Sequence, residues 1–573
     1  MKRITLLLFL TAAPCIAIAG SDSTGLIPED TARLGRQLDA VLTPWVDSGG
    51  PGIAAAVAVN GEVIYERGLG QASIEHAVPI TPATAFDIGS VNKQFVAFAV
   101  ASLVASGTIA RNDDIHRYVP DFPDFGHGIT IDHLIHHTSG LPDEFSLLRM
   151  AGYWTSDPIT PELIHRLLWS QNRLLFTPGE KWEYCNSNYT LLVEIIARVT
   201  GQPFATWART NILEPVGLTE TRIVDDTRMI IPNRAESYAY RETGYERDVV
   251  SYANFEMYST VRDVTHWLTY LNDPSDRHRA VVALMAQKGI LNNGDTTNYA
   301  FAQFEVMDDG RLAYLHSGSI GGYKCCVIRY PDLGLTVAAL SNAGYFGATA
   351  VTRQLAERVI AGPTPESEQP DQPGENDVIP TLTDDIDSPP IAVSDDVLDQ
   401  LAGLYRDGRR LKVYRVERTA AGLRLHHLSD EPFDMKPQSD SSFSLVGVGS
   451  TAVFTTDTTS GHPQLHLYVG RTPLVCSWLN IVDLPRNRLA ALAGEYYSRE
   501  LQLTLSLQLI ENALVVVHPR YPHASVHALS DSVLVGETRW LRELRFAFDS
   551  GDRPTGFEAA SAFVREVAFQ RIR

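Results

Sequence analysis

Gly89-Ser90-Val91-Asn92-Lys93 stands ahead of an apolar run, Phe95, Val96, Phe98, Val100, Leu103 and Val104, that stops at Gly107. The run predicts a helix starting near Ser90, with Gly107 as a natural terminator. On a helix, positions three apart share a face. Ser90 and Lys93 are therefore expected to touch, with the serine at the helix mouth and the lysine one turn deeper. A free serine hydroxyl is a weak nucleophile and needs an adjacent base. An ammonium cannot be that base, whereas a lysine held neutral by burial and by the positive end of a helix can. The ordinary reading of the same residues is a serine cap and a solvated lysine. The motifs further along the chain favour the chemical reading.

Tyr184-Cys185-Asn186 places a phenol and an amide two residues apart in a loop expected over residues 182–188. In an extended loop such positions point the same way. A tyrosine hydroxyl near a cation can relay a proton, and the asparagine can hold a substrate carbonyl. His316-Ser317-Gly318 is expected to close a strand over 311–316, with 317–322 leading into a second strand over 323–330. A glycine there admits a close backbone approach, read here as that of a substrate. Taken singly, each tripeptide reads as packing or turn chemistry. The adjacent pair His136-His137 also reads as a structural turn, since consecutive side chains diverge and no partner cluster follows.

Asn60-Gly61 between apolar residues 53–59 and the run 62–67 is a hairpin signal, because Asn-Gly supplies the positive backbone angles of a tight turn. A helix is expected over 189–199, a third strand over 335–340 and a helix over 348–360. Strands at both ends with helices between predict one mixed sheet packed on helices. Residues 362–394 read as a linker, rich in proline and acids in a stretch that cannot bury enough to fold. Beyond it Leu401-Ala402-Gly403-Leu404-Tyr405 recurs as Leu492-Ala493-Gly494-Glu495-Tyr496. Each copy precedes short alternating runs with no convincing helix. Two small all-β barrels, over 395–482 and 487–573, fit that pattern.

At 573 residues the chain holds more than one domain. Its formal net charge of -20 argues against a nucleic-acid partner. Residues 1–19 read as a secretory leader: Lys2 and Arg3, an apolar stretch over 4–10, and Ala17-Ile18-Ala19 as the cleavage site. A secreted or periplasmic protein is expected, with no other segment long and apolar enough to cross a bilayer. Beyond the leader Cys185, Cys325, Cys326 and Cys476 allow three pairings, among which the sequence does not choose. No metal site or cofactor is expected.

In order, Ser-x-x-Lys, Tyr-x-Asn and His-x-Gly before a strand hairpin resemble the serine β-lactamase and penicillin-binding-protein superfamily. Phe86-Asp87-Ile88-Gly89-Ser90, His137-Thr138-Ser139-Gly140-Leu141-Pro142 and Pro178-Gly179 strengthen the likeness. It covers roughly residues 26–361 and is greatest to the class C branch, which includes D-aminopeptidases, carboxypeptidases and esterases. The resemblance implies an α+β catalytic domain, helices around an antiparallel sheet. It implies Ser90 as nucleophile, Lys93 as its neutral partner, Tyr184 as relay, and Asn186 bonded to Lys93 and to the substrate. His316, Ser317 and Gly318 would line the substrate, and backbone N–H groups of Ser90 and Ser319 would form the oxyanion hole. His316 stands where lysine is usual, which disfavours β-lactams. Cys185 replaces a serine and should point away from the site. The barrels resemble lipocalin-like appendages of D-aminopeptidases. The expected activity is a peptidase or amidase on small or D-residue-containing peptides. The alternatives are a carboxylesterase, a β-lactamase and a non-catalytic binding protein.

Overall fold

The computed structural model describes residues 26–27, 30–241, 244–252, 254–362, 392–408, 411–427, 432–445, 450–468, 473–562 and 564–573. The expected leader, 1–19, lies outside these residues, as does nearly all of the linker.

Asn60 and Gly61 take φ of 50° and 85° and join the strands Ile53–Val59 and Glu62–Leu69. This early hairpin closes one edge of a six-stranded sheet. Its order is Phe304–Asp308, Arg311–Ile320, Tyr323–Tyr330, Leu335–Ser341, Ile53–Val59, Glu62–Leu69, with every pairing antiparallel. The two-residue period of a strand explains the uninterrupted apolar run over 53–59. Ile53, Ala55, Val57 and Val59 face one core, shared with helices Thr31–Leu42 and Ala348–Ala361. Ala54 and Ala56 face the other, which holds the helix Lys93–Ala105. That helix is buried on nearly every face, and Phe95 stacks on Trp267 with centroids 4.4 Å apart.

Around the candidate site the structure departs from the sequence reading in the following ways. A short 3-10 turn, Gly89–Asn92, precedes the α-helix, so Ser90 sits in the turn and Lys93 opens the helix. The second departure concerns Asn186, which is not in an extended loop: it opens the helix Asn186–Thr200, behind an extended Cys185. The carboxylate of Asp143 accepts the Asn186 N–H at 2.9 Å and so caps this first turn from another element. Finally, the strand Arg311–Ile320 continues through Ser317, Gly318 and Ser319, which pair with Cys326, Cys325 and Lys324. Gly318 there accommodates the protein's own backbone, since a Cβ on it would lie 2.0 Å from the Ile88 carbonyl oxygen. The close approach read as a substrate's is made by Ile88.

The two C-terminal barrels are closed, with eight antiparallel strands each. They run from Gly403–Asp407 to Pro473–Trp478 and from Gly494–Ser498 to Val567–Arg571. Contrary to expectation each carries a short helix, Asp395–Leu401 and Arg486–Leu492, just before its first strand. One turn or two is too short for apolar periodicity to register. The repeated tyrosine ties helix to barrel in both: Tyr405 Oη donates to the Leu401 carbonyl at 2.7 Å and Tyr496 Oη to that of Leu492 at 2.8 Å.

The second barrel docks on the N-terminal α+β domain. His518 Nε2 meets the Met150 carbonyl at 3.2 Å, and Arg520 pairs with Asp157 at 2.6 Å. Arg173 pairs with Glu558 at 2.8 Å. The first barrel leans on the second through the Arg406–Glu543 pair and a small core of Leu404, Val413 and Val535. Cys185, Cys325, Cys326 and Cys476 are all buried, unpaired thiols. No helix among the described residues is long and apolar enough to cross a membrane.

Candidate active site

Lys93 is the residue that burial singles out: it is 4% exposed, yet its Nζ donates to Ser90 Oγ at 3.2 Å. The turn that carries Ser90 is shaped by two neighbours. Asp87 accepts the Gly89 N–H at 2.8 Å. Gly89 itself takes φ of 49°, and a Cβ there would lie 2.7 Å from the Ser319 nitrogen. Glycine is needed at this point to bring the serine turn against the strand that carries Ser319. The expected oxyanion donors, the Ser90 and Ser319 amides, thus lie on the two sides of one backbone contact.

Tyr184 stands over Lys93, with Nζ 5.5 Å from the ring centroid. Its hydroxyl is buried and has no hydrogen-bond partner among the described residues. Asn186 does not make the expected bond to Lys93. Asp143 takes both its backbone N–H and, at 2.7 Å, its side-chain Nδ2. Cys185 does turn away, its Sγ donating to the Leu141 carbonyl at 3.3 Å.

His316 is 2% exposed. Its Nδ1 lies 2.8 Å from the Ser317 carbonyl, which can only accept, so Nδ1 carries the proton. Its Nε2 then accepts from Tyr299 Oη at 3.1 Å. Burial, followed by the charge of Lys93, pushes His316 down to about 3 against the bond to Ser317. It is a neutral imidazole with both nitrogens engaged inside the protein. On the same strand Ser319 Oγ accepts from Lys324 Nζ at 2.7 Å, and Lys324 also donates to the Gly321 carbonyl.

The site rests on a layer of buried acids. Burial pushes Glu144 up to about 7, against bonds from Thr190 and Tyr252, and Asp87 up to about 7, against the bond from Gly89. Glu256, beside Asp87, is raised as well, first by burial and then by the Asp87 charge.

Sequence reasoning missed Asp143, Tyr299 and Lys324. Asp143 does carry a local signal, since it precedes the helix Glu144–Met150 and accepts from the Ser146 N–H as an N-cap. Tyr299 lies in irregular chain and carries none.

The family profile described as Beta-lactamase matches residues 34–361. The chain belongs to this family. Within the Beta-lactamase family, penicillin-binding protein 4* of Bacillus subtilis is 31% identical over 314 residues, covering 50% of this chain and 66% of that protein. A D-aminopeptidase of Gluconobacter oxydans is 24% identical over 296 residues, 51% of this chain and 56% of its own length. The chain therefore spans somewhat under two thirds of these curated relatives. The octameric penicillin-binding protein homologue from Pyrococcus abyssi superposes with a TM-score of 0.52 at 22% identity, over 78% of this chain and 100% of that one. That likeness shows the fold. As a Beta-lactamase family member the chain falls in the superfamily of serine hydrolases and penicillin-binding proteins that the motif order indicated, and its class C-like character is consistent with these relatives.

Proposed function

We propose that this protein is an exported serine hydrolase that forms an acyl-enzyme on Ser90, with small or D-residue-containing peptides and amides as substrates. The observation that carries the reading is the buried Lys93 Nζ hydrogen-bonded to Ser90 Oγ, with Tyr184 above the pair. In this reading Ser90 Oγ attacks the acyl carbon and Lys93 takes its proton. The amides of Ser90 and Ser319 receive the charge that develops on the carbonyl oxygen. Tyr184 relays that proton from Lys93 to the departing nitrogen as the C–N bond breaks, and water then attacks the acyl-enzyme, releasing the acid and returning a proton to Ser90 Oγ.

The neutral, engaged His316 supports substrates without a carboxylate beside the cleaved bond. The likeness to a D-aminopeptidase supports a D-residue on the acyl side. The leader read from residues 1–19 supports export.

A matched panel tests the substrate: D- and L-alanine amides, the corresponding esters, and benzylpenicillin, each at one pH. The reading expects D-amide turnover above L-amide turnover and above penicillin hydrolysis. Ester turnover with no amide turnover would replace it with the carboxylesterase reading.

A further inference from the structure

His137 is fully buried, adopts φ of 57°, and is used by none of the steps above. A left-handed backbone is uncommon for a residue other than glycine, although asparagine, aspartate and histidine adopt it more readily than the rest. Its neighbour His136 turns the other way, bonding the carbonyls of Asp132 and Gln287 at 3.1 Å each. His137 turns toward the chain that carries Tyr184 and Asn186, and it grips that chain on both sides of the tyrosine. Its carbonyl accepts the Glu183 N–H at 2.9 Å. Its Nδ1 accepts the Cys185 N–H at 3.2 Å and Asn188 Nδ2 at 3.1 Å.

These donors settle the tautomer. A backbone N–H can only donate, so Nδ1 carries no proton and Nε2 does. The orientation of Asn188 agrees, because its Oδ1 accepts from Ser139 Oγ at 2.6 Å. Burial, then the charge of Lys93, holds His137 well below the usual histidine range. The ring itself packs on Tyr184 with centroids 4.2 Å apart and on Tyr299 at 4.8 Å. Tyr299 is the residue that donates to His316. His137 therefore joins the Tyr184 segment to the His316 strand.

We propose that His137 is a positioning residue: as a neutral Nε2–H tautomer it fixes the Tyr184-Cys185-Asn186 segment over Lys93 and transfers no proton itself. The proposal rests on Tyr184 being the relay.

Two substitutions separate its parts. His137→Asn keeps an acceptor at the δ position and tolerates the left-handed backbone, but loses the ring. His137→Phe keeps a ring and loses the acceptor. With D-alanine p-nitroanilide as probe, an amide whose departing nitrogen must be protonated, His137→Phe is expected to lower kcat by about 10- to 100-fold, with KM within about threefold of wild type. His137→Asn is expected to recover most of that loss. Equal kcat in the two variants, or a loss carried by KM alone, overturns the proposal.

Tyr184→Phe separates this failure from failure of the underlying reading. If Tyr184→Phe keeps wild-type turnover, the relay assignment falls and the proposal falls with it. If Tyr184→Phe collapses while His137→Phe does not, only the positioning role falls. Should His137→Phe fail to fold, nitrogen-15 NMR of the wild-type imidazole decides. An unprotonated Nδ1 and a protonated Nε2 are expected at neutral pH, and a protonated Nδ1 there overturns the proposal.

Discussion

His316 is the residue at which this chain departs from the superfamily signature. Where the superfamily signature has lysine, this chain has an imidazole whose Nδ1 is bonded to the Ser317 carbonyl and whose Nε2 is bonded to Tyr299. Its value of about 3 lies well below the ordinary histidine value, so above that pH it stays neutral. The acid limb of a pH–rate profile measured above pH 5 therefore belongs to another group. His316→Gln should leave the apparent acidic pKa for neutral-ester acylation unchanged, and a shift of that limb would show that His316 titrates. His316→Lys, in turn, should raise penicillin acylation relative to ester acylation by about tenfold, the order of one charge-assisted hydrogen bond. An unchanged ratio would remove His316 as the selector. Ser90, Lys93, Tyr184 and His316 could be picked out as candidates because their motifs are local, and the structure brings Ser90, Lys93 and Tyr184 together. Tyr299 could not be picked out, because its meeting with His316 is set by the tertiary fold.

Elements were legible where a turn or a period marks them. Asn60-Gly61 announced its hairpin, and the apolar run after Lys93 announced its helix. Asn186 was misplaced because what starts its helix, the Asp143 carboxylate, comes from a distant part of the chain. The strand through Ser317-Gly318-Ser319 looked like a turn because Gly318 is there to admit the Ile88 backbone. Asp143 links two elements at once: it caps the helix Glu144–Met150 through the Ser146 N–H and holds the opening residue of Asn186–Thr200. Asp143→Ala should cost about 1 kcal/mol of stability as a lost cap. It should also lower kcat by about 100-fold, because Asn186 loses its anchor. Denaturant unfolding and steady-state kinetics on the same preparation check both figures. A stability loss with unchanged kcat would make Asp143 purely structural.

For the molecule as a whole, the repeat at Tyr405 and Tyr496 revealed two barrels, but nothing in the sequence showed where they dock. Docking depends on fit between surfaces far apart in the chain. Gly152 lies in close contact across that fit: it takes φ of 90°, and a Cβ on it would lie 2.4 Å from His518 Cε1. Gly152→Leu should therefore loosen the second barrel from the N-terminal α+β domain. Small-angle scattering should show a larger radius of gyration, and the relative rates across an ester and amide panel should change. Unchanged scattering would mean the docking surface absorbs the side chain, and loosened barrels with unchanged relative rates would make them independent of the site. The central claim concerns Ser90, and intact mass after reaction with a fluorophosphonate probe tests it most directly. The account predicts one adduct per chain, mapped to the peptide containing Ser90 and absent in Ser90→Ala. An adduct on any other residue, or one that persists in Ser90→Ala, would contradict it.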